Sequence, residues 1–130
     1  MGQNAMKRKN FARRPGCAVE ATLDLIDGKW KGVILYHLQG GSQRFGELKR
    51  LMPSITQRML TKQLRALEDD GLVVRKVYAE VPPRVEYSLS EVGESLRPVI
   101  EVLRSWGERH HERLSCAPVA ETIKTPHQTA

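Results

Sequence analysis

A chain of 130 residues, 40% of them hydrophobic, can fill one modest core but hardly two, so a single domain is expected. Its 21 Lys and Arg against 15 Asp and Glu leave a formal charge of +6, an excess that suits a polyanionic partner such as nucleic acid. No uncharged apolar run approaches the ~20 residues that span a bilayer, and no apolar signal segment follows the basic first residues, so a soluble cytoplasmic protein without a membrane partner is expected.

Residues 1–16 carry Lys7, Arg8, Lys9, Arg13 and Arg14 with almost no apolar period and read as a flexible basic arm ending at Pro15 and Gly16. The domain proper is expected over 17–114. Val19, Leu23 and Ile26 at helical spacing predict a first helix from Cys17 to Asp27, stopped by Gly28. A second, from Lys29 to about Leu38, carries the stripe Trp30, Val33, Ile34 and Leu38 and ends at Gly40 and Gly41. A short extended piece around Ser42 to Arg44 leads into a brief third helix, Phe45 to Leu51, closed by Met52 and Pro53.

The next helix ends near Asp70 with Gly71 as its stop, and it has two chemically sensible starts. Ser54 with Gln57 makes a capping box, whereas Thr56 can cap alone. Val- and Tyr-rich stretches from Leu72 to Glu80 and Arg84 to Leu89, separated by Val81-Pro82-Pro83, predict a two-stranded hairpin. Ser90 caps a last helix reaching roughly Leu114, apolar along Val92, Leu96, Val99, Ile100, Leu103 and Trp106, with a kink expected at Pro98. Residues 115–130 lack large apolar residues and read as a disordered tail.

Helix, tight turn, helix and hairpin in that order can present the second helix to a DNA major groove and the hairpin to the flanking backbone as a wing. On a helical wheel Gln57, Arg58, Thr61, Lys62 and Arg65 fall within about 140°, with Leu60, Leu64 and Leu67 opposite. That outer face joins an amide and a hydroxyl able to read base edges to three cations able to meet phosphate or guanine, and no acid interrupts it before Glu68. A solvated charged face satisfies the same pattern. The candidate DNA-contacting set is Ser54, Thr56, Gln57, Arg58, Thr61, Lys62 and Arg65, with Lys76 and Arg84 from the hairpin, where Arg75 is a third cation. For Arg84 an ion pair with Glu80 or Glu86 is the competing reading.

The runs Glu20-Ala21-Thr22-Leu23, Gly28-Lys29-Trp30-Lys31, Ile34-Leu35-Tyr36-His37-Leu38, Arg44-Phe45-Gly46-Glu47-Leu48 and Met59-Leu60-Thr61-Lys62-Gln63-Leu64 resemble the HxlR-type regulators. So do Leu67-Glu68-Asp69-Asp70-Gly71-Leu72-Val73 and Val81-Pro82-Pro83-Arg84-Val85-Glu86-Tyr87-Ser88-Leu89. The resemblance covers about Cys17 to Gly107. It implies a mainly α protein with a small β-hairpin, a MarR-like winged helix-turn-helix, and a homodimer joined through the first and last helices. It also implies a sequence-specific transcriptional regulator, with repression the expected mode, acting on genes often concerned with stress or detoxification. Pairing would double the contacts of one recognition helix and match a pseudo-palindromic operator. A winged-helix module that grips an acidic partner protein, without specific DNA binding, is the alternative.

Cys17 stands at a predicted helix start just after Arg13 and Arg14, surroundings that favour a thiolate, and is the redox-sensing candidate. In the family it resembles, a cysteine here is commonly followed by proline and senses oxidants in some members, whereas this chain has Ala18. A small buried residue near the dimer seam is the other reading. Cys116 reads as a tail spectator, and the spacing of His110, His111 and Cys116 fits no standard zinc pattern. No catalytic triad order, phosphate loop or HExxH run is present, so neither enzyme activity nor a cofactor or metal is expected. Trp30 and Trp106 read as core or interface anchors, with room left at the seam for a small apolar effector.

Overall fold

The computed structural model describes residues 14–114, so the basic arm before Arg14 and the tail with Cys116 lie outside the described residues. The chain divides between Ile100 and Glu101 into two compact units.

The first unit runs α1 (Cys17–Ile26), α2 (Lys31–Leu38), β1 (Gln43–Arg44), α3 (Phe45–Leu51), α4 (Gln57–Asp69), β2 (Val73–Tyr78), β3 (Arg84–Leu89), α5 (Glu91–Ser95) and the start of α6 (Arg97–Arg109). Its core is assembled from Ile34, Leu35 and Leu38 of α2, Leu48 of α3, Ile55 of the following turn, and Leu60, Leu64 and Leu67 of α4. Met52, Leu72, Val73, Tyr87 and Ile100 complete it, with Trp30 packed at its edge. Ile34 and Leu38 of α2 and the three leucines of α4 are positions that helical spacing marks, whereas Val33, expected in the α2 stripe, is exposed and Leu35 is buried in its place.

Both ends of α4 are chemically fixed. Thr56 rather than Ser54 is the N-cap, its hydroxyl accepting from Met59 N–H at 3.0 Å. At the other end Gly71 adopts φ +79°, its N–H donating to Glu68 O and that of Leu72 to Leu67 O, both at 3.0 Å. That Schellman pattern needs a left-handed residue, and it turns the chain directly into β2.

The hairpin pairs antiparallel from Val73↔Leu89 to Tyr78↔Arg84, and β1 adds to its β3 side through Gln43↔Tyr87 and Arg44↔Glu86. The expected hairpin is therefore two strands of a three-stranded sheet, ordered β1-β3-β2. Two residues are too few to show a strand period, so only pairing reveals β1.

The expected single helix from Ser90 to Leu114 is corrected on two counts. It breaks at Leu96, and α6 ends at Arg109, followed by a 3-10 turn His111–Arg113 in the second unit. Pro98 has no N–H to continue the ladder to Glu94, so the chain restarts at Arg97 and the proline sits in the first turn of α6, where no donor is required. Instead of a kink there is a clean interruption. Ser90 caps α5 as expected, accepting from Gly93 N–H at 2.9 Å while its own hydroxyl donates to Gly71 O at 2.6 Å. Arg97 donates to Gln39 O at 2.9 Å, tying the start of α6 to the end of α2. Among the described residues no helix is long and apolar enough to cross a membrane.

Candidate nucleic-acid interface

The outward face of α4 is set by what lies behind it. Leu60, Leu64 and Leu67 are at most 1% exposed and anchor the helix to the core, which turns Gln57, Arg58, Lys62 and Arg65 into solvent with Thr61 half-buried between them. Gln57, Arg58, Thr61, Lys62 and Arg65 line one shallow depression, so the five residues the wheel grouped stand together in space.

Among the described residues Arg58, Lys62 and Arg65 make no ion pair, whereas Arg14, Lys31, Arg84, Arg97 and Arg104 are each held by carboxylates. A cation without an internal partner loses nothing when it meets a phosphate, and that is the electrostatic requirement of a groove-docking face. The first turn of α4 contains no acid, leaving the positive end of its dipole uncompensated and attractive to an anion.

Three hydroxyl positions are differently committed. Thr61 donates to Gln57 O at 3.0 Å, so towards a base it offers lone pairs and a methyl group, not a proton. Thr56 spends an acceptor site on its cap, whereas Ser54 is exposed in the preceding turn. Neither Ser54 nor Thr56 lines the depression.

The hairpin supplies a second basic group. Arg75 and Lys76 are exposed on β2, and Lys76 Nζ lies 5.1 Å from the centroid of the Tyr78 ring. Arg84 is more enclosed. Its guanidinium sits 3.9 Å from the same centroid and forms ion pairs with Glu80 (Nε–Oε2, 3.4 Å) and Glu86 (Nη1–Oε2, 3.6 Å). The competing ion-pair reading of Arg84 is thus realised with both acids. Arg44, which no periodicity singled out, is exposed on β1 opposite Glu86, on the other edge strand of the sheet from Arg75 and Lys76.

Cys17 is 3% exposed at the first position of α1. Its Sγ accepts from Arg14 N–H at 2.9 Å while its own N–H donates to Arg14 O at 3.0 Å, closing a turn over 14–17. The Arg14 guanidinium, expected beside the thiol, reaches instead for Glu20 Oε1 at 3.4 Å.

The family model described as HxlR-like helix-turn-helix matches residues 25–115. The chain is 59% identical over 99 residues to the HTH-type transcriptional regulator YdeP of Bacillus subtilis (strain 168), covering 76% of this chain and 77% of that protein. It is also 59% identical over 109 residues to the HTH-type transcriptional regulator YtcD of the same organism, covering 84% and 83% respectively. Among solved structures, the redox regulator HypR in its oxidized form superposes with a TM-score of 0.70 at 57% identity, covering 72% of this chain and 97% of that one.

Proposed function

This chain belongs to the HxlR-like helix-turn-helix family, and from that premise we propose how it works: it is a DNA-binding transcriptional regulator whose α4 enters the major groove while the β2–β3 wing follows the flanking backbone. The observation that carries the reading is the face of α4, apolar and buried behind, polar and cationic in front, with its three cations free of internal ion pairs among the described residues. Gln57 and Thr61 would read base edges. Arg58, Lys62 and Arg65 would meet phosphate or guanine, Ser54 and Thr56 would approach the backbone at the helix start, and Lys76 and Arg84 belong to the wing.

We place the protein in the cytoplasm as a homodimer that represses from a pseudo-palindromic site. Val19 and Leu23 of α1 are 63% and 56% exposed, and in the second unit Val102, Leu103 and Trp106 are exposed as well, so each bears apolar surface that a twin subunit would cover. Cys17 is its proposed redox sensor, supported by the similarity to the redox regulator HypR and by the backbone donor on its sulfur.

The test is selection of duplexes from a random-sequence library, then titration of the selected site. Specific binding should survive excess competitor DNA and weaken steeply with salt, and Arg58→Ala or Arg65→Ala should cost about tenfold or more without lowering the melting temperature. A protein that selects no common sequence, or binds it no better than competitor, is a protein-interaction module instead.

A further inference from the structure

The wing contains a charge arrangement that register alone would not give. Lys76 stands directly across from Glu86, with Tyr78 across from Arg84. Opposite charges facing each other on paired strands ordinarily join, yet among the described residues Lys76 forms no ion pair. The Glu86 carboxylate is occupied elsewhere: Oε2 lies 3.6 Å from Arg84 Nη1, and Oε1 accepts from the Ser42 hydroxyl at 3.5 Å. The neighbouring acid Glu80, across the loop, is likewise held by Arg84 at 3.4 Å. Arg84 is suited to this because a planar guanidinium can stack on a ring and address two carboxylates from its edges, which an ammonium cannot. Its Nε is buried with no hydrogen-bond partner, so the contact with Glu80 is electrostatic. A half-enclosed cation flanked by two carboxylates has little charge left to offer a phosphate, whereas exposed Lys76, against the Tyr78 ring at 5.1 Å, is neutralised by no carboxylate among the described residues.

We propose that Arg84 is the internal counter-ion of the wing, a positioning residue that withholds Glu86 from Lys76 so that the Lys76 ammonium is the wing's phosphate contact. This rests on the DNA-binding reading above. Removing the Arg84 charge frees Glu86 to pair with the lysine opposite it, and the wing then loses its grip although Arg84 itself touches no DNA.

The experiment measures affinity for a duplex selected by the wild-type protein, at temperatures well below every variant's melting midpoint. Arg84→Gln should weaken binding about tenfold, and Glu86→Gln alone should change it less than about twofold because that carboxylate is already neutralised. The double variant Arg84→Gln/Glu86→Gln should return to within about threefold of wild type. Lys76→Met should lower the slope of log affinity against log salt by roughly one per protomer, and in that background Arg84→Gln should add no further loss. Equal gains from Glu86→Gln with and without Arg84, wild-type binding by Arg84→Gln, or an unchanged salt slope in Lys76→Met each overturns the proposal. Where Arg84→Gln does not fold, Arg84→Met keeps the aliphatic stem against Tyr78 and carries the same test. Failure of the wild-type protein to select any duplex would instead remove the DNA-binding reading, a separable outcome.

Discussion

A methyl group at position 93 would have nowhere to go. The Cβ of an alanine there would collide with the Leu72 carbonyl oxygen and lie 3.3 Å from Leu89 Cδ2, so α5 crosses the start of β2 at a distance only glycine permits. Gly93→Ala should therefore destabilise the fold by about 2 kcal/mol despite the better helix propensity of alanine, and an unshifted denaturation midpoint would show that the backbone yields. Nothing in the sequence marks this residue, since Gly93 reads as a mild weakness in a helical run. Cys17 was legible both as a candidate sensor and as a small buried residue, and the structure gives the burial. Cys17 is 3% exposed, within the hydrogen-bonded turn over 14–17. Cys17→Ser should keep operator affinity and lose the response to oxidant, and a serine variant that still responds places sensing elsewhere.

At the scale of elements, α4 separates its buried leucines from its proposed DNA-contacting residues by face. Leu64→Ala should cost about 2–5 kcal/mol, because a side chain 1% exposed in the core leaves a cavity, and operator affinity measured on the folded fraction should barely move. The opposite pattern, large loss of affinity with intact stability, is expected of Arg65 and Arg58 on the outer face. A Leu64→Ala protein of wild-type stability would mean the helix is not held by that face. This division was fully readable from spacing, since helical periodicity places leucines and cations on opposite sides whatever the rest of the chain does. The break at Leu96 was half-readable: Pro98 announced a disturbance, but whether a helix bends or restarts depends on neighbours such as Gln39, whose carbonyl holds Arg97.

For the whole molecule, assembly is the open consequence of the exposed apolar positions on α1. Leu23→Glu would set a charge where an apolar contact with a second copy is proposed, forfeiting about 1.5–3 kcal/mol of burial at each of two symmetric positions. Sedimentation should then show a monomer at concentrations where the unmodified protein is dimeric, with affinity for a two-half-site duplex reduced; a variant that stays dimeric and binds normally rules α1 out of the interface. The helices up to α4, the hairpin, the Ser90 cap of α5, the leucines behind α4 and the outward cations follow from the sequence, because each depends on residues within a few positions of one another, whereas the choice of Thr56 over Ser54 as the cap of α4 and the break at Leu96 came from the structure. The ion pairs of Arg84 with nearby Glu80 and Glu86 were readable as an alternative, whereas tertiary structure alone decided the third strand and the close approach at Gly93. Those rest on groups up to 44 positions apart, as in the Ser42 to Glu86 bond, and composition or period carries no information about which distant side chain arrives first at a shared charge.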